Sequence, residues 1–489
     1  MEISGHQPAK LRRELNVWEA IGISLALMAP SMAANINPQF VSSQVGRAVP
    51  LAFLFATIGI LLVAYGFVRL TQQFHHAGSV YGFVGVTLGP RAGVFSGFAL
   101  MGTYIFYACV TSMAAGRFGA DFLQRLGIIN ADSLTAVQLA VGFIAVGLAW
   151  FLALVPARDG TRILLAVEGI TVAVILVTIV VILAHLLGGS APGGATFNLN
   201  VFTLPDGVGL NALMVGSVFG FLSFAGFEAA ATLGEEAHHP QRDIPRAILG
   251  VAVFGGVYFV VVTAIEVMGF GGDAGMTAFG TSNSLLGDLG ASFIGSWIGD
   301  IITIGAAISA FGCCLACLVG ASRLLFALGR DSSKTPVLSI AARVSTRWGT
   351  PSGALAIVTV VAAAIIAFWA VVFHGDATAV FNGSGVIGTL ILLVAYAFAT
   401  VGAIKFLFLG GRARVPMYEV IVPIAALAFL ALTLWNNLTF DSTTDAFKDQ
   451  VVVIVWLLLG VALVFGMPGM ARRVGESLER DEGLLAARS

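Results

Sequence analysis

Charge is what this chain has least of. Of its 489 residues only 10% are charged, against 58% hydrophobic, and the mean hydropathy is +0.95. A soluble domain of that size could not cover its surface with so few water-compatible groups. Neither sign is in excess: 25 Lys and Arg meet 26 Asp and Glu, so no basic surface argues for a nucleic-acid partner. Cysteine is scarce too. Cys109, Cys313, Cys314 and Cys317 all lie in apolar runs and read as small core residues, not disulfides. Cys314-x-x-Cys317 is half of a metal motif with no second pair and no nearby His, so no metal site and no cofactor is expected. The alternation of a β-barrel is absent, as are the clustered His, Asp or Cys of a membrane-embedded enzyme and the pore motif or charge rings of a channel.

What is present is a series of long apolar runs. Twelve spans can be drawn: about 17–44, 50–70, 91–119, 134–155, 161–187, 211–234, 244–270, 298–328, 352–373, 379–409, 415–437 and 450–470. The reading is an all-α polytopic membrane protein with 12 transmembrane helices in a lipid bilayer. Residues 1–16 and 471–489 are left as tails. Lys10, Arg12 and Arg13 precede the first run, which is too long for a signal peptide and is kept as a helix. With the N-terminus inside, 21 of the 25 Lys and Arg fall on the inner side and only Arg47, Arg117, Arg125 and Lys448 on the outer. Both termini are therefore expected in the cytoplasm. Arg117 and Arg125 are read as flanking a helix end.

Two spans are interrupted. The first, from Val17 to Gln44, carries Pro30 and Pro38 together with Ser31, Asn35 and Asn37. Proline removes a backbone donor and clashes with the preceding turn, so a break is expected across Ala29, Pro30, Ser31, Met32 and Ala33. A plain kink without a ligand is the simpler alternative. The sixth span turns small and aromatic at Ser223, Phe224, Ala225, Gly226 and Phe227, then carries one carboxylate, Glu228. It leaves the apolar zone at Gly234-Glu235-Glu236 and reaches a charged, proline-bounded turn from Pro240 to Pro245. A carboxylate inside a span costs roughly 2.5–3.5 kcal/mol on insertion scales, which makes it a functional candidate; the plainer alternative is an ordinary packing Gly and a Glu hydrogen-bonded to a neighbouring helix. Interrupted helices in corresponding places of two halves point to an inverted-repeat transporter with its site at the midplane. Broken ends offer N–H groups to a carboxylate and C=O groups to an ammonium.

Other candidates are weaker. Tyr104 and Tyr107 share one face of span 3 and could line a pocket or simply pack. Glu168 lies about six residues, ~9 Å, inside span 5. It reads either as paired with a basic residue near Arg158 and Arg162 or as a proton-accepting group. His75 and His76 read as solvated loop residues. Glu266 and Asp300 are placed at the outer ends of their spans, within reach of water. The stretch from Phe381 to Gly388 is flexible and polar, and could bend as a gate. Spans 11 and 12 read as packing or homodimer helices.

With these residues in view, the chain resembles the amino acid–polyamine–organocation (APC) permeases. The resemblance rests on GFLSFAGFEAAATLGEEAHHPQRDIPRAI (220–248), on FHHAGSVYGF (74–83) with GPRAGVFSGF after it, and on ASRLLFALGRD (321–331) followed by Pro336 and Thr350-Pro351. The Met28-Ala-Pro-Ser31 break departs from the family's Gly-rich break and is similar to the putrescine-importer branch. The resemblance implies a LeuT-like fold: two inverted five-helix repeats (17–187 and 211–409) with helices 1 and 6 interrupted, plus two C-terminal helices (415–470). It implies a substrate site of backbone around Ala29–Ala33 and Ser223–Phe227 with Phe224 as an aromatic lid. It also puts Glu228 where a coupling carboxylate is common. The lysine that some members carry on span 5 is missing from Val167-Glu-Gly-Ile-Thr171, which makes Glu168 the candidate substitute. The expected function is secondary active transport of amino acids or related amines, driven by protons. The alternatives are a polyamine or cationic amino acid carrier or exchanger, sodium coupling, or a non-transporting amino acid sensor.

Overall fold

The computed structural model describes residues 16–74, 80–155, 158–233, 237–330, 336–345, 347–372, 374–410, 414–439, 446–467, 469 and 472–473. His75, His76, Glu235, Glu236, the residues before Asn16 and most of the charged C-terminal tail lie outside the described residues, as do the side chains of 156–161. Among the described residues there is no strand. Ten stretches are long and apolar enough to cross a membrane, and a shorter apolar helix, Leu210–Phe224, accompanies them.

The first stretch, Val17–Thr71, holds 55 residues. As one straight helix it would reach about 80 Å, far beyond a ~30 Å hydrocarbon core. It is instead three helices: α1 (Val17–Met28), α2 (Pro30–Val45) and α3 (Val49–Thr71). Asn16 starts α1 with a reciprocal cap: its side chain accepts from the Trp18 and Glu19 N–H groups, and Glu19 accepts from the Asn16 N–H. Ala29 separates α1 from α2 in a left-handed conformation, φ 46° and ψ 59°. Pro30 cannot continue α1, and its fixed φ suits the first position of α2. Gly46, at φ 55°, ends α2.

Next come α4 (Val80–Leu88), α5 (Pro90–Arg125), α6 (Leu134–Leu154) and α7 (Arg158–Gly188). Then α8 (Leu210–Phe224) stops, Ala225 is extended, and Gly226 takes φ +100°. A tight 3-10 turn at Ala229–Leu233 follows, and α9 (Pro240–Gly269) begins. The proline-bounded segment is therefore not a turn. Pro240 opens α9 and Pro245 sits in its second turn. Two short helices, α10 (Met276–Thr281) and α11 (Leu285–Phe293), lead to α12 (Ser296–Arg330), α13 (Pro336–Ala341), α14 (Ser352–Val372), α15 (Ala377–Phe408), α16 (Ile421–Asn437) and α17 (Ala446–Gly466).

Burial separates centre from rim. In α5 83% of the most apolar window is buried, against 22% in the stretch ending with α16 and 28% in α6, α14 and α17. The rim helices turn Phe143, Ile144, Phe151, Ile424 and Leu458 outward, as lipid-facing helices do. Packing follows a regular pattern: α2 lies on α8, α3 on α9, and α5 on both α12 and α15.

Candidate functional site

Where the two broken helices meet α5, α12 and α15 there is a small cavity of about 10 Å³, room for about one water molecule. Tyr104, Tyr107 and Thr103 of α5 form one wall. Ala225, Gly226 and Glu228, from the opened stretch after α8, form the opposite wall. Leu27, Cys317 and Leu392 complete it from α1, α12 and α15.

Local packing explains the tyrosines. A Cβ on Gly388 would lie 2.8 Å from the Tyr107 ring, and one on Gly320 would lie 3.2 Å from the Tyr104 ring. The missing side chains let both rings lie against α15 and α12. The Tyr107 hydroxyl is 3.0 Å from Thr389 Oγ1, and Thr103 Oγ1 donates to the Gly388 carbonyl at 3.2 Å. Glu228 is 6% exposed and accepts a hydrogen bond from the Tyr396 hydroxyl at 2.9 Å. Tyr396 is itself fully buried between Phe67 and Phe227. Beyond Gly226 the chain is held by α1: the Ala230 N–H donates to Ser24 Oγ at 2.9 Å.

The break in the first span has its own acid. Glu168, on α7, accepts from the Ser31 N–H at 2.9 Å and from Ser31 Oγ at 2.9 Å on each carboxylate oxygen. It is 6% exposed. Among the described residues Glu168 has no basic partner, and the side chain of Arg158, one of the expected partners, lies outside them. Ser223 Oγ accepts from Asn37 Nδ2 at 2.7 Å and so ties the two interrupted spans together.

The cavity thus brings together Tyr104, Tyr107, Ala225, Gly226 and Glu228. It does not bring in the rest. Ala29, Pro30, Ser31, Met32 and Ala33 are buried around the break, outside the cavity wall. Phe224 points into α9, its ring 5.4 Å from that of Phe259, and so is no lid on this cavity. Phe227 packs edge-on against Phe67 and Tyr396. Three further expectations change. Residues 381–388 are not a bend, because α15 runs unbroken from Ala377 to Phe408. Glu266 is not within reach of water: it is 0% exposed, and neither carboxylate oxygen has a hydrogen-bond partner among the described residues. Arg117 is not at a helix end but about two turns inside α5 and 3% exposed, donating to Gln39 Oε1 at 3.2 Å and to the Ser282 carbonyl at 3.0 Å. The cysteines are free and buried, as expected.

Away from the cavity toward α11, polar side chains knit the molecule. Asn35 Oδ1 accepts from Ser284 Oγ at 3.1 Å and from the Leu286 N–H at 2.9 Å, while its Nδ2 donates to the Ser31 carbonyl at 2.9 Å. Arg125 pairs with Asp121 at 2.7 Å and with Asp288. Phe40 stacks between Phe219 and Phe381, at 4.9 Å and 5.1 Å.

Two broken spans meeting at a small cavity with one acid in its wall is the arrangement of an inverted-repeat transporter. The family model for amino acid permeases matches residues 23–473. The chain belongs to the amino acid permease family, and it is a multi-pass permease. It is 24% identical to the low-affinity putrescine importer PlaP of Escherichia coli (strain K12) over 462 residues, 92% of this chain and 93% of that one. It is 24% identical to the branched-chain amino acid permease BcaP of Lactococcus lactis subsp. cremoris (strain MG1363) over 486 residues, with the same coverage. The fold matches the crystal structure of the Eremococcus coleocola manganese transporter in complex with an aromatic bis-isothiourea substituted compound. That match has TM-score 0.54 and 15% identity, and covers 97% of this chain and 100% of that one.

Proposed function

We propose that this permease is a secondary active transporter that moves amino acids or related amines across the cell membrane by alternating access, driven by protons. The observation that carries the reading is Glu228, a buried carboxylate in the wall of the small cavity formed where the chain leaves α8. An ammonium group is the natural partner of that carboxylate, and Tyr104 and Tyr107 supply an amphipathic wall for the rest of the substrate. The names of the relatives, a putrescine importer and a branched-chain amino acid permease, support an amine-bearing substrate.

In this scheme Glu228 is neutralised in the dry site either by the substrate's ammonium or by a proton, never by both, and a proton that enters with an ammonium-bearing substrate sits on Glu168. The two loaded groups then favour one facing state over the other. Glu168 is the second candidate for the proton. Twelve crossings arranged as repeats 17–187 and 211–409, with 415–470 appended, belong to the same proposal. The pairing of α2 with α8, α3 with α9 and α5 with α12 supports it, because each contact joins corresponding members of the two halves. Cytoplasmic termini follow from the distribution of Lys and Arg.

The test is uptake into proteoliposomes of labelled amino acids and putrescine, with and without an inward proton gradient. Gradient-stimulated accumulation is expected in the wild type, and Glu228→Gln is expected to abolish the stimulation. Proton-driven uptake left intact in Glu228→Gln removes Glu228 from the coupling step. Uptake seen only into preloaded vesicles makes the protein an exchanger, and binding without flux makes it a sensor.

A further inference from the structure

The substrate's carboxylate is the discriminating group. An amino acid brings both a cation and an anion, and each needs a partner in a dry site. The anion's natural partner in a broken helix is the N-terminus of the second segment, where backbone N–H groups stand free. In α2 the first position is Pro30, which has no N–H, so the first donor is Ser31. That donor is already taken. Glu168 accepts from the Ser31 N–H and from its hydroxyl, three contacts at 2.9 Å from one carboxylate. The chain has placed its own carboxylate where an amino acid's would go.

The cavity offers no substitute. Its described wall carries one acid, Glu228, and no Lys, Arg or His. The buried guanidinium of Arg117 lies ten residues, ~15 Å, along α5 from Tyr107, where its Nη2 donates to Gln39 and Ser282 on the α11 side and its Nε and Nη1 have no partner among the described residues, so it is not part of the cavity wall. A zwitterion would bring an unpaired carboxylate into a site that already holds Glu228 and has Glu168 at the neighbouring break. A cationic amine would bring only the charge that Glu228 lacks.

We infer that this permease takes organic amines without a carboxylate in preference to the corresponding amino acids. The inference rests on the cavity being the substrate site of a carrier, as proposed above. It narrows "amino acids or amines" to amines, with Glu228 as the ammonium partner and Glu168 as a built-in anion that excludes the zwitterion.

Matched pairs that differ only in a carboxylate test it: putrescine against ornithine, cadaverine against lysine, and isobutylamine against valine. Purified protein is assayed by direct binding and by uptake into proteoliposomes. In the wild type the amine of at least one pair is expected to bind more tightly than its amino acid, by about tenfold or more, the worth of one charge-assisted contact. Glu168→Ala, which frees the Ser31 N–H, is expected to narrow that ratio by raising affinity for the amino acid. Glu168→Leu, closer in volume and without an acceptor, repeats the test should the alanine variant fold poorly. If no amine binds more tightly than its amino acid in any of the pairs that bind, the inference is overturned and the carrier reading is left standing. A discrimination ratio unchanged in a folded Glu168 variant removes Glu168 from it. A panel in which no compound binds or moves overturns both.

Discussion

Glu266 and Glu228 are both acids sealed inside the helical bundle, yet their surroundings differ. Glu228 has the Tyr396 hydroxyl at 2.9 Å, whereas Glu266 has no hydrogen-bond partner on either oxygen among the described residues. An orphaned buried polar group costs about 1–3 kcal/mol, so Glu266→Leu, which fills similar volume without acceptors, is expected to raise the melting temperature in detergent. A lower melting temperature would show that Glu266 holds a proton or ion that stabilises the fold. Neither residue's surroundings could be read from the chain. Glu266 sits near the end of an apolar run, and sequence places such ends only to within a few residues, the difference here between water and core. Tyr396 looks like any tyrosine in an apolar span, and its pairing with Glu228, 168 positions away, depends on how α15 is rotated. The cavity tyrosines were more legible, because two of them a turn apart must share a face.

At the level of elements, the breaks were the most legible feature, for a covalent reason. Pro30 cannot donate and cannot follow Met28 in helix, and Gly226 reaches φ +100° without a Cβ to clash. Which side chains then faced the cavity was not legible. Phe224 is the last residue of α8, and one residue's difference in where a helix stops turns a ring from the cavity toward α9. The likewise glycine-rich stretch 381–388 stayed helical because its glycines serve close contacts. A Cβ at Gly385 would come within 3.2 Å of the Phe219 ring. The break at Ala29 can be tested on its own. A left-handed residue with a side chain costs roughly 1–2 kcal/mol, and glycine loses about 0.5–1 kcal/mol more backbone entropy on folding than alanine. Ala29→Gly is therefore expected to change stability by less than about 1 kcal/mol and to retain uptake. Ala29→Val, β-branched in a left-handed position, is expected to lower the melting temperature and uptake together.

For the molecule as a whole, Asn35 spans two regions that must move apart if the cavity is to open on the α11 side. It holds the Ser31 carbonyl at the break and the first turn of α11 at the same time. Asn35→Ala removes the two hydrogen bonds that join α2 to the start of α11, each worth roughly 0.5–1.5 kcal/mol. Cys317, a native thiol in the cavity wall, reports the result. Its alkylation by a membrane-impermeant maleimide added from the α11 side is expected to quicken severalfold in Asn35→Ala. An unchanged rate would mean that the Phe40–Phe219–Phe381 stack closes this path by itself. The helical class and the membrane setting followed from composition and run length. The closure did not, because it depends on contacts between segments some 250 residues apart.

Gly320 and Gly388 touch nothing that a substrate would touch. Both stand behind the tyrosine rings, at 3.2 Å and 2.8 Å from where a methyl group would begin. In a close-packed interior a displaced ring has only the empty side to move into, and here that side is the cavity. On the proposal that the cavity is the substrate site, the upper size limit of the cargo is set from behind the wall. A single added methyl at either position would shrink the admissible molecule while leaving every cavity-lining side chain unchanged.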